Sequence, residues 1–265
     1  MDITVDGKKT IAATGDAPFD PRKPTLVFIH GAGMDRTVWA MQARHPAFSG
    51  HNVLAVDLPG HGLSAGQALT SIEDMAAWIV SLLDALKVSK ATLAGHSMGA
   101  LIALEAAARA PARIERLALL GVTFPMRVAP GLLEAAKSND ISAVRMIVGW
   151  AYAPGNAMGS GPAPGLRMTG AGQNLLASAA PGVLYADLAA CNTYTAGLTR
   201  AAEVAVPALF LLGARDRMAR PRGAMALADA MARAEVKTLD RSGHMMMSEA
   251  PREVVATLGA FLKVS

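Results

Sequence analysis

Leu93-Ala94-Gly95-His96-Ser97-Met98-Gly99-Ala100 is the stretch whose reading decides how this chain folds. Before the serine, the apolar residues from Ala91 to Ala94 have the make-up of a buried strand; after it, Met98 to Ala108 is an apolar segment of helical length. One serine is left on the sharp turn between them, the arrangement called a nucleophile elbow. Such a turn strains the serine backbone, and the residues two places on either side must be small enough for strand and helix to touch. Gly95 and Gly99 hold those two places. The geometry lifts the Ser97 hydroxyl to the carboxyl end of a sheet and puts a helix amino terminus beneath it, where developing negative charge is favoured. A hydroxyl alone is a poor nucleophile, so the rest of the chain must supply a base, an orienting acid and an oxyanion site.

Composition bounds the classes of function. The 265 residues, 52% of them hydrophobic, suit one large α/β domain or a domain with an insertion. No apolar run free of charge or turn residues reaches the roughly 18 residues of a membrane span, so no span is expected. Met1 to Asp6 alternates like a strand and lacks the basic-then-apolar layout of a signal peptide. The single cysteine, Cys191, leaves no internal disulfide, and a cytoplasmic location is expected. The formal charge of +4 is spread among acids and aromatics are only 5%, which argues against nucleic-acid binding. A monomer or homodimer acting on a small molecule is expected.

Met1 to Thr14 reads as a hairpin, and Thr25 to Ile29 as a central parallel strand ending in His30-Gly31-Ala32-Gly33. Small residues there let the backbone present amides toward the elbow. Ala32 N–H with Met98 N–H is the expected oxyanion pair, with Gly33 as the competing donor and Gly31 and Gly33 bordering the substrate. A further strand, His51 to Val56, runs into Asp57-Leu58-Pro59-Gly60-His61-Gly62-Leu63-Ser64. Asp57 and His61 are catalytic residue types, yet this is a tight turn in which the aspartate is expected to bind backbone amides. Ser71, with Asp74 three residues on, is a candidate N-cap for a helix whose apolar positions are Met75, Trp78, Ile79, Leu82, Leu83 and Leu86. After the elbow, Glu105 and Arg109 are expected as an exposed i,i+4 pair, and Ile114 to Leu120 as the next strand.

From Gly121 to about Arg200 the strand–helix alternation lapses. Prolines and a Gly-rich run from Gly155 to Gly172 accompany helical patterns at Leu132 to Ala136 and Ile141 to Trp150, which points to a helical cap inserted in the domain. The expected division is 1–121 for the first half of the core, 122–199 for the cap and 200–265 for the second half. Met126, Trp150 and Tyr152 are candidate pocket residues, as are Met146, Met158, Met168, Leu175 and Tyr185; equally they could form the cap's own core. The run 153–165 is expected as a loop at the entrance to an apolar pocket favouring uncharged, short to medium esters. Alternation resumes at Val206 to Leu212, followed by Gly213-Ala214-Arg215-Asp216, and Asp216 is the candidate orienting acid. A helix over Pro221 to Ala234 and a short strand, Val236 to Leu239, precede Ser242-Gly243-His244-Met245. His244 completes the order Ser, Asp, His at strand ends and is the candidate base, with Met245 beside the substrate.

HGAG at 30–33, DLPGHGLS at 57–64, GHSMGA at 95–100, GARDRM at 213–218 and SGHMMMSEAP at 242–251 together closely resemble the α/β-hydrolase fold superfamily, in its serine-nucleophile, esterase-like members with a helical cap. The resemblance covers residues 1 to 121 and 200 to 265. It implies a mostly parallel eight-stranded sheet flanked by helices, with Ser97, Asp216 and His244 as the triad and the amides of Ala32 and Met98 as oxyanion donors.

Serine narrows the chemistry. Attack on saturated carbon by serine would leave an inert ether, so dehalogenase and epoxide hydrolase activities are disfavoured and attack at a carbonyl is expected. A carboxylic ester is the expected substrate, cleaved through an acyl-enzyme on Ser97. No cofactor is required, and the histidines lack metal-ligand spacing. Lactonase, carbon–carbon bond hydrolase, perhydrolase and acyltransferase activities fit the same triad, and a receptor-like binding protein with slow or vestigial hydrolysis is the alternative of another class.

Overall fold

Eight strands form one sheet in the computed structural model, which describes residues 1–15, 17–157 and 167–263. They are β1 (Asp2–Val5), β2 (Lys8–Ala13), β3 (Thr25–Ile29), β4 (Asn52–Val56), β5 (Ala91–His96), β6 (Ile114–Leu120), β7 (Ala208–Gly213) and β8 (Ala234–Leu239). Their spatial order is β1-β2-β4-β3-β5-β6-β7-β8. The expected hairpin β1–β2 turns at Asp6 and Gly7, both with positive φ, which matches the right-handed twist of its strands. It meets β4 antiparallel, and every pair from β4 through β8 is parallel.

Alternation along β3 sets the layers. Val27 and Ile29 join the apolar cluster on one face, Leu26 and Phe28 that on the other, because successive side chains leave opposite faces of a strand. The helices are α1 (Ala40–Ala43), α2 (Ile72–Ala85), α3 (Met98–Arg109), α4 (Pro130–Lys137), α5 (Ile141–Ala151), α6 (Pro154–Ala157), α7 (Met168–Ala177), α8 (Val183–Thr193), α9 (Gly197–Glu203), α10 (Met225–Ala230), α11 (Met246–Glu249) and α12 (Pro251–Lys263). The first face is covered by α2 and α3. Ser71 caps α2 by accepting from Asp74 N–H at 3.0 Å, and Met75, Trp78, Ile79, Leu82 and Leu83 form its buried stripe. The second face takes α12, with Val254, Val255, Leu258 and Phe261 inward. There Phe28 stacks on Trp39 with ring centroids 4.7 Å apart, and truncating it to alanine would cost about 3–5 kcal/mol.

Helices α4 to α9 lie between β6 and β7. The periodicities at 132–136 and 141–150 become α4 and α5. Of the expected 153–165 loop, Pro154–Ala157 is a single helical turn, and residues 158–166, including Met158, lie outside the described residues.

Two local expectations are corrected. Pro221 to Ala234 is not one helix but a 3₁₀ turn followed by α10, because the chain turns extended at Met231 and enters β8 at Ala234. Glu105 is fully buried rather than exposed: besides Arg109 it accepts from Tyr194 Oη at 2.7 Å and Arg200 Nε at 3.1 Å, so it fastens the segment after α8 and the helix α9 onto α3.

Candidate active site

The elbow is built as its glycines require. Ser97 sits at φ +54°, ψ −113°, a strained backbone for a residue with a side chain. A Cβ on Gly95 would stand 2.0 Å from the Gly99 carbonyl oxygen, and one on Gly99 2.3 Å from that of Ile29, so neither position tolerates a side chain. Helix α3 begins at once, with Met98 as its first residue.

Asp216 and His244 meet across the loops after β7 and β8. Asp216 Oδ1 accepts from the Met218 and Ala219 amides, both at 2.8 Å, which leaves Oδ2 facing His244 Nδ1 at 2.7 Å. The His244 loop is held from two further sides: its own N–H donates to the Ala151 carbonyl at 2.7 Å, and its carbonyl accepts from His96 Nε2 at 3.0 Å. His96, the second residue of the elbow motif, is therefore a neutral support for His244; burial, then the neighbouring His244 ring, push its pKa well below the ordinary value.

Ala32, which lines the same cavity as Ser97, and Met98, the residue after Ser97, present amides with no protein acceptor among the described residues. Gly33 is removed as the competing donor, because its N–H donates to Asp187 Oδ2 at 2.8 Å. Nor does Gly31 or Gly33 line the cavity; a Cβ on Gly31 would press on His96 Nδ1 at 2.9 Å, so Gly31 serves close packing instead.

Asp187 of α8 also faces His61 Nε2 at 2.8 Å, while His61 Nδ1 faces the Pro59 carbonyl at 3.0 Å. With acceptors at both ring nitrogens, His61 is held as the imidazolium. Burial opposes that charge most strongly of any one effect, but the Asp187 carboxylate, the Pro59 carbonyl and Asp57 together outweigh it and raise the pKa. The adjacent His30 is neutral, its pKa lowered to about 3 by burial and by the His61 charge. Asp57 has the structural part expected of it, accepting the amides of Arg36 and Leu63 and the Arg36 guanidinium.

Ser97, His244 and Ala32 open on one cavity of about 490 Å³. Met126 and Trp150 line it as expected. Tyr152 and Met245 do not: both are buried against α7, around a small void shared with Ile147 and Leu176, because the extended backbone at Tyr152 ends α5 and directs the chain inward. The lining missed in the sequence includes Leu132, Ile147, Leu188 and Cys191, which come from three different helices. It also includes Arg127, Arg217 and Arg220, so the wall is not apolar throughout and the premise for excluding charged substrates does not hold. Arg217 and Arg220 follow Asp216 closely in sequence, a signal of their position; Arg127 has none. Among the described residues, no group of three or more His, Cys, Asp or Glu side chains is placed to hold a metal, and no helix is long and apolar enough to cross a membrane.

The sequence of residues 26–257 matches that of the alpha/beta hydrolase family, and the chain belongs to it. Among curated relatives, it is 39% identical over 124 residues to the dihydrolipoyllysine-residue acetyltransferase component of the acetoin cleaving system of Pseudomonas putida, covering 44% of this chain and 33% of that one. It is 36% identical over 101 residues to (E)-2-((N-methylformamido)methylene)succinate hydrolase of Acinetobacter baylyi, covering 37% and 38%. The matched segments thus span only a third or so of those relatives. Among solved structures, the enol-lactonase of Burkholderia xenovorans LB400 superposes over 100% of both chains with a TM-score of 0.87 at 25% identity. A thermophilic esterase covers 99% of this chain and 96% of its own, with a TM-score of 0.83 at 25% identity.

Proposed function

We propose that this hydrolase cleaves carboxylic esters of small substrates through an acyl-enzyme on Ser97. The observation that carries the reading is the Asp216–His244 hydrogen bond at 2.7 Å beside a cavity that Ser97 and His244 share. Asp216 holds the proton on Nδ1 and leaves Nε2 as the base. As His244 Nε2 takes the Ser97 proton, Oγ bonds to the carbonyl carbon and the oxyanion is met by the Ala32 and Met98 amides. His244 returns the proton to the departing alcohol; water, deprotonated in turn by His244, then releases the acid and restores Ser97. The helices between β6 and β7 act as a cap over the cavity.

A lactone is the second reading, favoured by the end-to-end likeness to an enol-lactonase; ring opening differs only in that the leaving alkoxide stays attached. A panel of acyl esters of graded length and of lactones, turned over by wild type and by Ser97→Ala, separates the two. Loss of about three or more orders of magnitude in kcat is expected for Ser97→Ala. Full activity in that variant, or failure of Ser97 to be labelled by a fluorophosphonate, ends the acyl-enzyme reading.

A further inference from the structure

The cavity beside Ser97 carries uncompensated positive charge. Arg127, Arg217 and Arg220 share its wall, and no aspartate or glutamate lines it among the described residues. Elsewhere Arg22, Arg36, Arg109, Arg113 and Arg200 are each held by a carboxylate. Arg127 instead donates to the Asn192 carbonyl at 3.4 Å and Arg217 to the Gly149 carbonyl, while the Arg220 guanidinium has no partner among the described residues. A carbonyl carries no net charge, so these contacts orient the side chains without neutralising them.

The three also come from separate places. Arg127 follows β6, whereas Arg217 and Arg220 lie in the loop after β7, whose aspartate is committed to His244. A solvated charged face runs along one element; here two segments deliver cations to one opening that also holds the candidate nucleophile. All three side chains are exposed, which places them at the mouth, while Leu132, Ile147 and Leu188 supply apolar wall.

We propose that the substrate carries a carboxylate, separated from the scissile carbonyl by a short apolar spacer, and that Arg127 and Arg220 are the specificity-determining residues for it. This rests on the reading of Ser97 as the acyl-accepting nucleophile. A guanidinium fork matches a carboxylate in two parallel N–H···O bonds, and a positive mouth steers anions inward. The spacer accounts for the apolar wall, and the volume of about 490 Å³ accommodates a molecule of that size.

The test compares the 4-nitrophenyl half-ester of glutaric acid with 4-nitrophenyl valerate, acyl chains of equal length that end in a carboxylate and a methyl group. The charged-to-neutral ratio of kcat/KM is expected to fall about tenfold in Arg220→Gln and in Arg127→Gln and further in the double variant, with salt narrowing the wild-type ratio. A ratio unchanged within about twofold in the folded double variant overturns the proposal. Calorimetric binding of monomethyl glutarate to Ser97→Ala, with and without the arginine substitutions, separates the two readings. Arginine-dependent binding without turnover of either ester by wild type leaves the anion site and removes the hydrolase reading. Turnover of both esters with no arginine dependence does the reverse.

Discussion

Two buried histidine–aspartate pairs in this molecule have nearly the same contact and opposite properties. His244 and Asp216 are 2.7 Å apart, His61 and Asp187 2.8 Å. The difference lies in what the remaining atoms face. Asp216 has its other oxygen saturated by two amides, and among the described residues the second ring nitrogen of His244, which lines the cavity, has no acceptor. His61 meets acceptors at both nitrogens, and Asp187 shares one oxygen between His61 and the Gly33 amide while its other oxygen is buried without a partner among the described residues. The first arrangement leaves a nitrogen able to take a proton. The second holds a proton already in place, and so joins α8 to the loop that carries Ala32.

The contrast breaks most visibly in kinetics. His244→Ala should lower kcat on an ester by about three or more orders of magnitude and Asp216→Asn by a loss of similar size, whereas folded His61→Ala should stay within about tenfold of wild type. Equal losses at His61 and His244 would show that the Asp187 pair is also part of the chemistry.

Stability should sort the pairs in the other direction. Asp187→Ala leaves the His61 imidazolium buried without its counter-charge, at a cost of about 3–5 kcal/mol, which for a chain of this size lowers Tm by roughly 6 to 20 °C. Asp216→Asn, which keeps its amide contacts through Oδ1, should move Tm far less. Calorimetric melting of both variants decides it, and a reversed order would contradict the assignment.

A finer version uses pH. Because the folded His61 pKa is raised, the stability it contributes is fully present below the ordinary histidine value and is lost as pH rises through the folded value. The gap in urea-unfolding free energy between wild type and Asp187→Asn should therefore narrow from pH 6 to pH 9. A gap independent of pH would mean a neutral hydrogen bond.

The smallest effect belongs to the joint itself. Gly33 has φ +66°, and a Cβ there would stand 2.7 Å from Leu184 Cδ1, the end of a side chain that can give way. Gly33→Ala should cost about 1–2 kcal/mol, chiefly in backbone strain. Urea denaturation with no loss would show that the loop relaxes freely away from Asp187.

Signals close together in the chain were readable and distant meetings were not. Gly95 and Gly99 announce the elbow because strand, turn and helix are consecutive, and Ser71 announces α2 because a cap acts on its own first turn. Asp57 reads as a turn residue because the prolines and glycines of 57–64 are consecutive and Leu63, one of its amide donors, lies only six residues on; its Arg36 contact, 21 residues away, does not show in the spacing. The partner of His61, however, is 126 residues away, and nothing in α8 marks Asp187 as the residue that will bury there. Glu105 was misread for the same reason: its spacing to Arg109 is a surface pattern, and only Tyr194 and Arg200 make it an interior one.

The sequence by itself therefore determined the parallel strands, the elbow, and the order Ser97, Asp216, His244 after the ends of β5, β7 and β8. It did so because short apolar runs bounded by turn residues, and glycine-limited turns, are signals carried by consecutive residues. Only the tertiary structure decided which histidine is left with a free nitrogen, which amide is free beside Ser97, and that Arg127 joins Arg217 and Arg220 at one mouth. Those outcomes depend on which groups saturate one another's hydrogen bonds and charges when helices from distant parts of the chain pack together, and no spacing along the chain encodes that.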